Sequence, residues 1–405
     1  MWGFECAIRS VAPFHPKARL AIAGRANLLH RLHEWRAQHQ GSLIWFHCAS
    51  LGEFEQGRNL IEEIRQQHPQ HRLLLTFFSP SGYEIRKNYG HVDGVFYLPF
   101  DRFKTMKATV QALEPSAVCI VKYEYWVNWY KALQEAGVPI FLVSAKLRHN
   151  QRFFGRLGWW WQKTLRRVNH FFVQDDETMR LLQSVGIESV TQTGDTRFDR
   201  VHTIRQNAPS LEAIATWCGQ APVLVVGSAW KPEASLALAL GQQHRDWKII
   251  LVPHEVDSAE MQRQSNEISG AVLYSQLTPG TTEGNILLVN ATGILSAIYQ
   301  YANVVVIGGG FGKGIHNTLE AATWGKYILF GPRYEKFAEA VALIEQDAAT
   351  VCATASDMAK AITTAMTELS TTRLRGQKGA MLVEKSIGAT KRIMQHTELQ
   401  SILKK

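Results

Sequence analysis

The sequence predicts an α/β protein of two doubly wound, Rossmann-like domains in series. Apolar runs the length of strands alternate with helical patterns through the first half: 43–48, 73–78, 95–98, 117–121, 140–144 and 170–173, with helices such as 55–68 and 127–136 between them. The pattern breaks over the polar stretch 194–212, which contains Pro209 and suits a linker or hinge. It then restarts at 222–227, 248–252, 286–289, 304–307 and 327–330. Continuous rather than alternating apolar strands mean parallel sheets covered on both faces. The predicted domains are residues 1–205 and 206–405, with the basic terminal helix 376–403 packing back on the first. Ligands of such sheets bind beyond the strands' carboxyl ends, and two domains facing a central cleft place the site there.

Composition narrows the function classes. A chain of 405 residues with 46% apolar and 20% charged residues is an ordinary soluble composition. The net charge of +9 suits an anionic partner such as phosphates, nucleic acid or a membrane surface, but also a mildly basic enzyme with none. The five cysteines are scattered without metal-ligand spacing, and Cys48 and Cys119 lie in apolar runs as buried thiols. No apolar run reaches the ~18 residues of a membrane span. The N-terminus mixes Trp2, Phe4, Ile8, Val11 and Phe14 with Arg9, Lys17, Arg19 and Arg25, fitting an interfacial segment on anionic lipid or a helix packed on the body.

The segment 303–322 carries the strongest chemical signal. Val304–Ile307 reads as a buried strand, followed by Gly308, Gly309, Gly310, Gly312 and Gly314, then His316 and Asn317 as the N-cap of a helix holding Glu320. A strand, a glycine-rich turn and a helix start would offer free N–H groups and a positive dipole end to a phosphate. It is neither a Walker loop nor a dinucleotide fingerprint, since Gly314 follows Lys313 and no register fits the dinucleotide spacing. The leaving nucleotide of a sugar donor fits instead.

Other strand ends add candidates. After 43–48 come Ser50, Gly52 for a tight turn, and Glu53 at a helix start, either a general base toward a hydroxyl or an acid favoured by the dipole; Glu55 reads as solvated. After 117–121 come Lys122 and Glu124 among Tyr123, Tyr125 and Trp126. Residues 143–172 interleave Lys146, Arg148, Arg152, Arg156, Lys163, Arg166 and Arg167 with Trp159, Trp160 and Trp161, a pattern suited to anionic lipid or single-stranded nucleic acid, without a recognised nucleic-acid module. In the second half, Gly227 and Ser228, His254 and Glu255, and Arg333 and Lys336 follow strands.

Taken in order, these blocks resemble the 3-deoxy-D-manno-octulosonic acid (Kdo) transferases of lipopolysaccharide synthesis. HCASLGE, KYEYWVN, SAKL, GDTRFD, GSAW and GGGFGKGIHNTLEAATWGKYILFGP stand at the family's places, from about residue 17 to the end. The resemblance implies a GT-B fold and inverting transfer of Kdo from CMP-Kdo to the 6′-hydroxyl of a lipid A precursor. It implies Glu53 as general base and no metal or other cofactor. It carries donor contacts onto Ser228, His254, Gly309, Gly310, Gly312, Gly314, His316, Asn317, Glu320 and Arg333. Acceptor contacts fall on Ser50, Gly52, Glu124, Lys146 and Arg148. The implied setting is the cytoplasmic face of the inner membrane, with an anionic surface and no nucleic acid as partner. Two departures stand out: Asn290 and Ile294 replace the family's usual acids near the nucleotide, and Val127 replaces a proline. Rivals from the residues alone are a GT-B enzyme using a nucleotide-diphosphate sugar, and a non-enzymatic basic binding protein.

Overall fold

The computed structural model describes residues 2–155 and 158–405, and the side chains from Glu5 onward. Arg156 and the side chains of Trp2 and Phe4, named above for lipid contact, lie outside the described residues. The chain divides into two compact units: Met1–Arg200 with Ile387–Lys405, and Val201–Ser386. The division therefore falls after Arg200 rather than at 205, and the last nineteen residues group with the first unit. The polar stretch expected as a linker is mostly helical, in Thr196–Gln206 and Glu212–Cys218.

The first unit holds seven strands: β1 Leu43–Cys48, β2 Arg72–Phe77, β3 Gly94–Tyr97, β4 Ala117–Val121, β5 Ile140–Ala145, β6 His170–Val173 and β7 Val190–Gln192. They form one parallel sheet in the order β3-β2-β1-β4-β5-β6-β7. Every residue of β1, β4 and β5 is buried, as strands covered on both faces require. Helices Leu51–Gln67 and Phe103–Leu113 supply Leu60, Ile61 and Ile64 to one face and Met106, Val110 and Leu113 to the other. The terminal segment ends in two short helices, Ala389–Met394 and Thr397–Leu403, whose Ile393, Leu399 and Leu403 join the first of these cores. His71 Nε2 meets the Leu403 carbonyl at 2.9 Å.

The second unit also holds seven: β8 Val223–Ala229, β9 Lys248–Pro253, β10 Ala271–Leu273, β11 Ile286–Leu288, β12 Val304–Ile307, β13 Tyr327–Phe330 and β14 Ala349–Val351. They too form one parallel sheet, ordered β10-β11-β9-β8-β12-β13-β14. The first sheet's strand order reverses between β1 and β4; the second sheet's reverses near the middle between β8 and β12, with β10 lying outside β11 at one edge. Ligands of doubly wound sheets bind outside the carboxyl ends at such a reversal.

Candidate active site

At the first reversal, β1 runs through Ala49 and Ser50 into the helix Leu51–Gln67. Ser50 is the N-cap in extended conformation, φ −143° and ψ 177°. Its hydroxyl donates to the Glu53 carboxylate, fixing that side chain in the helix's first turn. Gly52 is not the turn residue the spacing suggested. It is helical and exposed, and a Cβ built on it would meet only Ser50 Oγ, at 3.8 Å. Glycine there leaves the helix's amino end bare. Glu55 is likewise not merely solvated: it pairs with Arg86 at 2.8 Å and Arg200 at 3.1 Å.

Across the reversal, β4 ends at Val121, and Lys122 takes a left-handed backbone, φ 71°. A non-glycine residue there is strained by about 1–2 kcal/mol, and such strain concentrates at functional sites. Trp126 Nε1 donates to Glu124 Oε2 at 2.6 Å, and the buried His47 ring lies 3.7 Å from the same oxygen. His47 is held from behind by Thr76 at 3.0 Å. Burial, then Glu53 and Glu124, push the Cys48 thiol well above its ordinary value, which locates both carboxylates about the end of β1. Burial also raises the Tyr123 phenol, whose charged neighbours are Arg148, Arg197, Asp195 and Glu53. The structure thus gathers Ser50, Glu53, Glu124 and Arg148 with Tyr123, Asp195 and Arg197. Asp195 and Arg197 stand in the GDTRFD block, which by itself assigned them no role. Asp195 and Arg197 are a close pair, 2.7 Å apart, and no spacing rule marks two residues that meet across one bend. Lys146 is committed elsewhere: it pairs with Asp175 at 3.1 Å, the N-cap of helix Asp176–Gln183. Burial opposes charge on Asp175, but bonds from Thr178 and Lys146 hold its carboxyl below the usual range.

At the second reversal, Ser228 near the end of β8 is also left-handed, φ 51°. The glycine turn packs against it so closely that a Cβ on Gly308 would lie 2.1 Å from the Ser228 carbonyl oxygen, and one on Gly310 2.5 Å from the Gly331 amide. Several amides expected to await a phosphate are already engaged. Gly309 N–H donates to Glu233 Oε1 at 3.0 Å, Gly312 and Gly314 donate to the Gly309 carbonyl at 2.9 and 3.1 Å, and Gly308 donates to Gly227 at 2.9 Å. The following helix is one turn, Leu319–Ala322, too short for a substantial dipole. Its N-cap is Thr318 rather than Asn317, although Asn317 Oδ1 accepts from Leu319 N–H at 3.0 Å and its amide donates to Glu320 at 2.9 Å. Exposed cations stand at the loop. Arg333 is bound to it through its backbone, donating to the Gly310 carbonyl at 3.1 Å and accepting from Ile315 at 3.3 Å, and Lys313 stands within it.

Beside the loop stand three parallel rings. Trp230 stacks on His254 at 4.7 Å and 17°, and His254 on His316 at 4.4 Å and 29°. Trp230 Nε1 donates to His316 Nε2 at 3.0 Å. Burial and the neighbouring His254 lower the His316 pKa, which suits that acceptor role. Trp230 and Glu233 carried no role in the sequence reading. The buried Glu233 also accepts from the Trp230 amide at 3.2 Å, so one carboxylate ties the ring plate to the glycine turn. The signal for Glu233 was a capping spacing, three residues after Trp230. Among the described residues no group of three or more His, Cys, Asp or Glu side chains is arranged to hold a metal ion.

Residues 25–200 match the family model of the 3-deoxy-D-manno-octulosonic acid transferase (kdotransferase) N-terminal region. A 3-deoxy-D-manno-octulosonic acid transferase of Aquifex aeolicus (strain VF5) is 24% identical over 314 residues, 76% of this chain and 80% of that one. One from Chlamydia trachomatis serovar A is 26% identical over 317 residues, 72% of this chain and 70% of that one. Among solved structures, a putative UDP-N-acetylglucosamine 2-epimerase from Listeria monocytogenes superposes with TM-score 0.59 at 13% identity, covering 88% of this chain and 95% of the other. MurG of Acinetobacter baumannii gives 0.55 at 13% identity, covering 90% and 100%. The structural likenesses show the two-domain GT-B fold. The family model over residues 25–200, with relatives 24–26% identical over 72–76% of the chain, makes the chain similar to the 3-deoxy-D-manno-octulosonic acid transferases.

Proposed function

We propose that the protein is a glycosyltransferase of lipopolysaccharide synthesis. It moves Kdo from CMP-Kdo to the 6′-hydroxyl of a lipid A precursor with inversion at the anomeric carbon. The observation that carries the chemistry is Glu53, held by Ser50 in the first turn of its helix at the reversal of the first sheet. Its carboxylate takes the acceptor's hydroxyl proton as that oxygen attacks the anomeric carbon. The bond to the CMP phosphate breaks and CMP leaves. Positive groups at the glycine turn, Lys313 and Arg333, offset the charge that develops on the departing phosphate. The Trp230–His254–His316 plate offers a flat face of the kind on which a pyrimidine packs. Arg148 and Tyr123 serve the acceptor, and Glu124 is aimed by Trp126 and His47.

No described helix is long and apolar enough to cross a membrane. Trp159 and Trp160 are more than half exposed on the helix Gly158–Leu165, with Lys163 on the same helix. Indole rings beside cations suit the interface of an anionic bilayer, and this supports a place on the inner membrane's cytoplasmic face. The nucleotide assignment is tested by thermal protection. CMP at a hundredfold over its Kd stabilises by about 2.7 kcal/mol. The reading predicts protection by CMP and little by UDP or ADP at equal concentration. Protection by UDP or ADP but not CMP would move the donor to a nucleotide-diphosphate sugar.

A further inference from the structure

A second cationic recess lies at the amino ends of the second sheet's strands, opposite the end that carries the glycine turn. It adjoins the starts of β12 and β13, with a volume of about 640 Å³. Its walls include Arg205, Trp324, Lys326, Arg373, Gln377 and Glu384. Three cations face one carboxylate. Glu384 lies 3.9 Å from Arg205, and it is itself more than half exposed. Arg205 is fixed from two sides: it donates to the Thr323 carbonyl at 2.8 Å and lies over the Trp324 ring at 5.7 Å. Trp324 is pinned by its indole N–H on the Ser296 carbonyl at 2.8 Å. Lys326 is half-buried, and its ammonium donates to the Gln300 carbonyl at 2.8 Å. Leu369 and Ser370 also line the recess, so the amino end of the eighteen-residue helix Leu369–Ser386 opens on it.

Like charges are normally spread over a surface. Here two guanidinium groups crowd a half-buried ammonium, with one exposed acid for compensation. Burial, then Arg373 and Arg205, lower Lys326 to about 8. An anion in the recess would reverse that shift, since an opposite charge favours the ammonium. The volume exceeds that of a bare ion, and the Trp324 ring offers apolar surface to a ring-sized body.

We propose that this recess binds a phosphate monoester carried on a small polar body, with Lys326 and Arg373 as its principal charge partners and Trp324 as its packing surface. Two sources supply such a group, a soluble phosphorylated sugar and a lipid headgroup. The site shares no residue with the glycine turn and does not depend on the transfer reaction.

The test uses the full chain and the reactivity of Lys326. Acetylation by a limiting N-hydroxysuccinimide ester at pH 7.5 is followed by peptide mass spectrometry, with Lys360 as a surface reference. Probes are glucose 1-phosphate, vesicles of phosphatidic acid in phosphatidylcholine, phosphatidylcholine vesicles alone, and sodium chloride at matched ionic strength. Lys326 labelling should slow at least severalfold with glucose 1-phosphate or with phosphatidic acid vesicles, while Lys360 is unchanged. Which of the two protects tells the soluble from the lipid source. Arg373→Gln, at an exposed position outside the core, should raise the half-protecting concentration about tenfold, as loss of one charge-assisted contact predicts. The proposal is overturned by no protection from either phosphate probe. Equal protection by chloride, or protection unchanged in Arg373→Gln, would overturn it as well.

Discussion

Set side by side, the two sheet reversals differ in what they present. Beyond β1 and β4 stand ionisable side chains: Glu53, Glu124, Tyr123, Arg148 and the Asp195–Arg197 pair. Beyond β8 and β12 stand backbone and rings: a glycine turn folded on its own carbonyls, and the Trp230–His254–His316 stack. The same topology, with a left-handed non-glycine residue beside each reversal, Lys122 after β4 and Ser228 in β8, therefore serves two kinds of work. Charged groups with their own hydrogen-bond partners can move a proton. A rigid, close-packed turn beside a flat plate can hold a nucleotide. The proposed division of labour, chemistry in the first unit and donor binding in the second, rests on that contrast.

Substitutions can break the contrast in order of expected effect. Glu53→Ala should lower kcat about 10²–10⁴-fold, the range for loss of a general base, with CMP affinity within twofold of wild type. A steady-state assay paired with calorimetry of CMP binding reads both. Glu233→Ala should do the reverse. It leaves the buried Gly309 amide without its acceptor, at a cost of about 1–3 kcal/mol. The loss should appear in CMP affinity and melting temperature rather than in turnover at saturating donor. Trp230→Ala removes a ring that is 40% exposed, so the fold should persist. CMP affinity should fall about tenfold, as stacking energies of about 1–3 kcal/mol per base imply. An unchanged CMP affinity would remove the plate from the donor site. Arg148→Ala should raise the acceptor KM a few-fold and leave CMP binding untouched, whereas equal weakening of both would contradict the division.

The smallest effect concerns the terminal segment. His170 and His396 stack at 4.0 Å beside Phe172, and burial with its neighbour His396 lowers His170 to about 4. His396 is lowered as well, mainly by burial. In the unfolded chain both would bind protons below about 6.5. Folded stability should therefore be full above that pH and decline as pH falls toward 4. Melting curves between pH 7 and 4.5 should show the decline, and His170→Gln should flatten it.

Much of this was legible in the sequence because buried parallel strands read as unbroken apolar runs. β1, β4, β5 and β12 are wholly buried and were visible as such. The strands that escaped were β7, β10 and β14, each three residues long, half-exposed and at a sheet edge. Too few buried positions exist there to make a pattern. The site residues followed the same rule. Glu53 and the glycine turn were found because each follows directly on a strand. Arg197, Trp230 and the tie from Glu233 to the glycine turn rest on contacts that no local spacing encodes, Glu233 reaching Gly309 seventy-six positions away. At the glycine turn, composition does not tell which amides are engaged: Gly312 and Gly314 donate within the turn, and Gly308 and Gly309 donate to Gly227 and Glu233 outside it.

Product mass reads Kdo transfer by Glu53 directly. CMP-Kdo generated in place and a tetraacylated lipid A precursor are incubated with wild type and with Glu53→Gln, and CMP binding is measured on both. With Glu53 as the base, wild type should add one or more Kdo masses and Glu53→Gln none, with equal CMP binding. Addition by Glu53→Gln at near wild-type rate, or no addition by a wild type that binds CMP, would contradict it.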